Sequence, residues 1–202
     1  MVKKIIITGG LGYIGTELCK IYSGVSWHHK IIVIDNRFIS ERVNQIRNWN
    51  MEFIHGDILD KDLVNKYFKD ADIVHHLAGV TQVPRTKSES NAEVDKKIKL
   101  VGEKGTQNIL DIISKSCKII FPSTHVVYEG IDKVKNDIRE DEETKPVLSY
   151  SSSKAINEKQ LKESGKNYVI LRLGSVYGYS KDTARIDIMP NLLSKIASQW
   201  YS

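Results

Sequence analysis

The feature that most restricts the possible folds is an abrupt change of pattern near the N-terminus. Lys4-Ile5-Ile6-Ile7-Thr8 is an unbroken apolar run of strand length. It gives way at once to Gly9-Gly10-Leu11-Gly12-Tyr13-Ile14-Gly15, then to a helical spacing through Leu18 and Ile21 that stops near Gly24. The turn holds G-x-G-x-x-G as Gly10, Gly12 and Gly15, and G-x-x-G-x-x-G as Gly9, Gly12 and Gly15. Glycines there let the chain turn tightly, let the backbone approach a pyrophosphate and let the helix pack close to the strand. The helix N-terminus then presents N–H groups and a partial positive charge to the phosphates.

The same alternation continues along the chain. Apolar runs at 31–35, 51–54, 73–77, 118–121 and 168–172 read as strands. Helical spacing covers 60–68, a long span over 92–114, and 150–164, closed by Gly165 in the left-handed position; a last helix runs over 190–199. Residues 129–147 are polar and irregular, long enough for a lid or a substrate edge. Fully apolar strands separated by helices predict an α/β fold with a parallel sheet covered on both faces. Six strands in this rhythm predict the doubly wound, Rossmann-like order 3-2-1-4-5-6.

Asp35 closes the second strand, twenty residues after Gly15. A carboxylate there can accept hydrogen bonds from a ribose and repel a 2′-phosphate, which favours NAD over NADP. Two more turns follow strand ends, the binding edge of such sheets: His55-Gly56-Asp57-Ile58 and Leu77-Ala78-Gly79-Val80. The small residues Ala78 and Gly79 would let a cofactor pass close to the backbone.

Tyr150 and Lys154 stand four apart at a helix start and share one helix face. A tyrosine is a poor base near neutrality, but an adjacent ammonium stabilises its phenolate. The phenolate could take a proton from a sugar hydroxyl while hydride leaves the same carbon, and Lys154 could also hold the nicotinamide ribose. Phe121-Pro122-Ser123-Thr124 ends the fifth strand and supplies a hydroxyl, Thr124, for the reacting oxygen.

Composition narrows the partners. The chain has 202 residues, 41% hydrophobic, enough for one sizeable core. The net charge of +5 comes from scattered lysines interrupted by the acidic run at 139–143. No basic patch with interleaved aromatics points to nucleic acid, and the balance suits an anionic small substrate. No apolar run approaches the roughly 18 residues of a membrane helix. Cys19 and Cys117 lie far apart in apolar runs and read as buried free thiols of a reducing, cytoplasmic compartment. His28-His29 and His75-His76 lack metal-site spacing and read as surface and strand-end residues, so no metal is expected.

Taken in order, "TGGLGYIG" at 8–15, "VIDN" at 33–36, "HGDILD" at 55–60, "HHLAG" at 75–79, "GTQNIL" at 105–110, "PSTHVVY" at 122–128, "YSSSK" at 150–154 and "LRLGSVYG" at 171–178 resemble the extended short-chain dehydrogenase/reductase family. The similarity is to its NAD-dependent nucleotide-sugar epimerases and dehydratases. The resemblance implies that Gly9, Gly12, Tyr13, Ile14 and Gly15 cradle the pyrophosphate and that Asp35 and Asn36 meet the adenosine ribose. It implies that Asp57 and Ile58 flank the adenine, that Leu77, Ala78 and Gly79 line the middle of the cofactor, and that Thr124, Tyr150 and Lys154 form the catalytic set. It also implies a homodimer through the helices at 92–114 and 150–164.

Three departures from the family pattern stand out. Dehydratases of the family commonly carry an acidic pair after the catalytic threonine, where this chain has His125 and Val126. Gly102 and Ser175 stand where the family usually has asparagine. Family members also continue well past this length. Residues 1–180 are therefore expected to be a complete cofactor domain and 181–202 the start of a substrate-binding domain that is otherwise absent. The expected function is an NAD-dependent nucleotide-sugar epimerase. A dehydratase or reductase of the same family, and an NAD-binding regulatory protein without turnover, are the alternatives.

Overall fold

The computed structural model describes residues 1–81, 91–178, 180 and 188–200. Six strands, β1 (Lys4–Thr8), β2 (Lys30–Asp35), β3 (Glu52–His55), β4 (Ile73–His76), β5 (Lys118–Thr124) and β6 (Asn167–Leu173), form one parallel sheet in the order β3-β2-β1-β4-β5-β6. The helices are α1 (Tyr13–Tyr22), α2 (Ser40–Asn48), α3 (Lys61–Phe68), α4 (Ala92–Lys99), α5 (Gly105–Ile112), α6 (Ser149–Glu163) and α7 (Met189–Trp200). Strand order changes direction between β1 and β4, and this switch point opens the crevice in which such sheets bind ligands.

Alternate residues of the strands feed two cores. Ile5, Ile7, Ile31 and Val33 pack with Cys19 of α1 and with Val43 and Ile46 of α2. Ile6, Ile32, Ile34, Val74, Ile119 and Phe121 face the other way, onto Val64 and Phe68 of α3, Ile109 of α5 and Leu161 of α6. Strands buried on both faces must be apolar throughout, which is why the runs show no polar alternation.

Some elements differ from the sequence reading. The helix α2 was not foreseen; only Val43 and Ile46 of its nine residues are buried. The span over 92–114 is not one uniform helix: Leu100–Lys104 is a π-helical stretch between α4 and α5. β5 extends to Thr124 although it contains Pro122. Its register with β4 stops at Ile120, so proline there costs no ladder bond on that side. Of the start of a further domain predicted at 181–202, residues 181–187, 201 and 202 lie outside the described ones, and the described part is mainly α7.

Candidate active site

The turn after β1 is held by its own backbone. The Gly9 amide donates to the Ile34 carbonyl at 2.8 Å and the Gly12 amide to the Gly9 carbonyl at 3.0 Å. Gly9 has φ +68°, and a Cβ on it would meet the Ala78 backbone nitrogen at 2.8 Å. A Cβ on Gly15 would lie 2.3 Å from the Gly9 carbonyl oxygen. Both glycines are therefore required by space, and they bring α1 onto the end of β1 and beside β4. Gly12 is the N-cap and has no side-chain cap, so the first-turn amides of α1 have neither a capping side chain nor an intrahelical acceptor. The phenol of Tyr13 donates to the Gly178 carbonyl at 2.6 Å and accepts from the Asn191 side-chain amide at 3.4 Å.

Side chains of the next turns are tied together. Asp35 is 5% exposed and accepts from the Leu11 amide at 2.9 Å and from Arg37. The Asn36 side chain donates through Nδ2 to Asp57 Oδ2 at 3.0 Å, and Asp57 Oδ1 accepts from the Leu59 backbone amide at 2.9 Å. Ile58 is 3% exposed; it lies beneath the groove against Gly105, and its carbonyl accepts from Asn108. Leu77, Ala78 and Gly79 line the groove, with the Ala78 amide donating to Thr8 Oγ1 at 3.0 Å.

His75 and His76 stand at the end of β4 as expected, and both are buried, at 8% and 1% exposure. His76 is hydrogen-bonded to Thr8 at 3.1 Å and Thr106 at 2.9 Å. Burial, with the nearby Lys154 charge, lowers its pKa to about 3, so it is a neutral strut joining β1, β4 and α5. His28 lies at the surface as expected, and among the described residues no cluster of His, Cys, Asp or Glu could hold a metal. Cys19 and Cys117 are buried free thiols, raised by burial to about 12 and about 11.

Tyr150 and Lys154 lie on α6, above the end of β5. Lys154 Nζ donates to the Pro122 carbonyl at 2.8 Å and sits 4.3 Å from the centre of the Phe121 ring and 5.9 Å from that of Tyr150. Burial pushes Lys154 down to about 8, and the negative charge of Glu158 opposes the fall. Thr124 is 8% exposed and its hydroxyl accepts from the Val126 amide at 3.3 Å.

Sequence reasoning missed the framework under these groups. Glu158, one helical turn after Lys154, is 2% exposed. It accepts from Ser123 Oγ at 2.6 Å and from Arg172 Nε and Nη2 at 2.9 and 2.6 Å. Arg172 also reaches Tyr128 and the Glu140 carbonyl. Glu129 accepts from the Val147 and Leu148 amides at 2.8 and 2.7 Å and from Ser151, which fixes the start of α6. The hydroxyl of Ser151 meets Leu148 as well, so at least one serine of this stretch anchors the helix start. No local spacing signals the side-chain pairs among these, since their members lie 14 to 44 residues apart.

One groove of about 1260 Å³ joins the whole set. Gly9, Gly12, Tyr13, Ile14 and Gly15 line it together with Asp35, Asn36, Asp57 and Ile58, and Thr124, Tyr150 and Lys154 line it too. His125 and Ser175 stand on the Tyr150 side. Gly102 is instead packed under α6, where a Cβ would come within 2.4 Å of Ser153 Oγ.

Known proteins are similar to this chain in sequence and in shape. The chain is 31% identical over 198 residues to a dTDP-D-glucose 4,6-dehydratase of Dictyostelium discoideum, covering 88% of this chain and 44% of the relative. It is 35% identical over 144 residues to a CDP-paratose 2-epimerase of Salmonella typhi, covering 65% and 40%. The fold superposes on a crystal structure of a UDP-glucuronic acid 4-epimerase mutant from Bacillus cereus, solved with NAD and a fluorinated UDP-sugar, with a TM-score of 0.79 and 25% identity over 97% of this chain and 63% of that one. The chain thus spans about half the length of the curated relatives it matches. The model of the NAD dependent epimerase/dehydratase family matches residues 5–199, and to that family this chain belongs.

Proposed function

We propose that this chain is the cofactor-binding and catalytic part of an NAD-dependent nucleotide-sugar epimerase. The observation that carries the reading is the continuous groove from the glycine turn to Tyr150, Lys154 and Thr124. The cradle fits a dinucleotide: the space a Cβ would fill at Gly9 and Gly15 is taken by backbone, and this lets a pyrophosphate lie against the uncapped start of α1. Gly9, Gly12, Tyr13, Ile14 and Gly15 would hold the diphosphate, Asp35 and Asn36 the adenosine ribose, and Asp57 and Ile58 the adenine. Leu77, Ala78 and Gly79 would line the middle, and Lys154 would hold the nicotinamide ribose.

NAD, when bound, supplies a hydride acceptor that can return the hydride. The Tyr150 phenolate takes the proton of the sugar hydroxyl as that carbon is oxidised, and gives it back after the keto sugar has turned over. Lys154, held between Pro122 and the Phe121 ring, fixes positive charge beside Tyr150. Thr124 offers a hydroxyl to the reacting oxygen. One matched relative is named a dehydratase, which makes dehydration the second reading. Elimination of water needs a further acid and base near the sugar. The acidic residues lining the groove, among those described, are Asp35 and Asp57, both at the β2–β3 end, whereas His125 and Val126 follow Thr124. This favours epimerisation.

The protein is proposed to act in the cytoplasm, supported by its two free thiols. It is proposed to pair as a homodimer through α4, the π-helical stretch and α6, supported by the exposed Leu100 and Ile156 on that face. Residues 1–180 would form the cofactor domain and α7 would belong to the part that meets the sugar. Tyr150→Phe is expected to lower turnover of a nucleotide sugar by about 10²–10⁴-fold and to leave NAD affinity unchanged, read by product analysis on a panel of UDP- and dTDP-sugars. Unchanged turnover would remove the proton-transfer role.

A further inference from the structure

We propose that Glu129 is a positioning residue for Tyr150: its carboxylate acts as a cap supplied from outside the helix and ties the chain leaving Thr124 to the turn entering α6. The start of α6 needs such a group. Its N-cap is Leu148, which has no side-chain acceptor, and its first turn holds no acidic residue. Tyr150 is the second residue of the helix, so its direction is set in that turn.

Glu129 supplies what the helix lacks. One oxygen, Oε1, accepts from the Val147 amide at 2.8 Å, from the Leu148 amide at 2.7 Å and from Ser151 Oγ. Ser151 is buried, and its hydroxyl also accepts from the Leu148 amide at 3.1 Å. Leu148 and Ser151 stand on either side of Tyr150, so one carboxylate grips the chain before and after the residue that carries the phenol. Negative charge is also favoured at the positive end of a helix.

The acid is reached directly from the strand that carries Thr124. β5 ends at Thr124, one 3₁₀ turn covers His125–Tyr128, and the Glu129 amide donates to the Val126 carbonyl at 3.1 Å. The crossing is then locked, with the Gly130 amide on the Lys145 carbonyl and the Lys145 amide on the Val127 carbonyl, both at 2.8 Å. A Cβ on Gly130 would lie 2.6 Å from that Lys145 oxygen, so the two strands of chain meet backbone to backbone. Residues 131–144 form a loop closed at this neck. Residues 129–147, all described, do not line the groove, whereas Thr124 and Tyr150 both do. The segment therefore acts on the site through its anchors rather than as a wall. A misplacement of about 1 Å between reacting groups costs about 10²-fold in rate. This inference rests on the proton-transfer reading of Tyr150.

Glu129→Asp and Glu129→Gln separate reach from charge. Aspartate keeps the charge and withdraws the oxygen by roughly 1.5 Å; glutamine keeps the reach and an acceptor oxygen. The readouts are the titration midpoint of the Tyr150 phenol, by NMR of ring-labelled tyrosine assigned with Tyr150→Phe, and hydrogen exchange of the Val147 and Leu148 amides. Thermal melts confirm that each variant folds. The wild-type midpoint is expected below the value of about 10 for free tyrosine. Glu129→Asp is expected to raise it by about one pH unit or more and to speed exchange of both amides by about tenfold or more; Glu129→Gln is expected not to raise it. A purely structural role would lower the melting temperature and leave the midpoint in place. A midpoint in Glu129→Asp within about half a pH unit of wild type, or amides that exchange no faster, overturns the proposal. A wild-type midpoint of about 10 or above overturns the proton-transfer reading beneath it, and the proposal with it.

Discussion

Lys154 is held where a lysine gives up its proton more readily than in water. Its ammonium has the Pro122 carbonyl and an aromatic face for company, and burial lowers its pKa from 10.5 to about 8. His76 nearby is kept neutral, which spares Lys154 a second cation. The lowered value has a direct effect on stability. Below about pH 8 the lysine is protonated in both folded and unfolded chains and contributes no slope. Between about 8 and 10.5 this lysine binds more protons in the unfolded chain, so its own contribution to stability rises with pH. That contribution is about 3 kcal/mol in total. The buried thiols of Cys19 and Cys117 act the other way above about pH 9 in any variant that keeps them, so the lysine is read as a difference: in urea denaturation the wild type should gain by this amount relative to Lys154→Met across the range, and parallel curves would contradict the burial of this charge. The Tyr150–Lys154 spacing was legible because both lie on one helix. The burial of His76 was not, since its partners Thr8 and Thr106 are 68 and 30 residues away.

At the scale of elements, α6 carries three groups in successive turns: Tyr150, Lys154 and Glu158. The last joins it to Ser123 of β5 and Arg172 of β6, and Arg172 extends the connection to the 129–147 segment through the Glu140 carbonyl. This segment, expected from its polarity to be a lid or substrate edge, is thus tied to α6. Removing one partner leaves a buried charge unpaired, at a cost of about 3–5 kcal/mol. Glu158→Gln should therefore lower stability by about 3 kcal/mol, and Glu158→Leu combined with Arg172→Met should lose less than the sum of the single changes. Additivity in that double-mutant cycle would show that the pair is not coupled. The strands were legible because each is centred on adjacent apolar residues, and α6 because Gly165 ends it, with φ +65°. The helix α2 was hidden by its few apolar residues, and the π-helical stretch by the lack of any periodic signal over five residues.

At the scale of the whole molecule, the sheet order, the switch point and the groove follow from one topology, and the pattern of alternating strands and helices carried it. The quaternary reading depends on the face formed by α4, the π-helical stretch and α6. Leu100 and Ile156 are 46% and 40% exposed there. Placing charge at both, as Leu100→Glu with Ile156→Glu, should convert a dimer to a monomer in sedimentation velocity and leave the fold intact by circular dichroism. A monomeric wild type, or a variant that stays dimeric, would discard this interface. The central claim is that one dinucleotide spans the groove. A crystal structure of the chain grown with NAD tests it most directly. The account predicts the diphosphate against residues 9–15 and the nicotinamide beside Tyr150 and Lys154; a cofactor bound elsewhere, or with its nicotinamide end pointing away from α6, would contradict it.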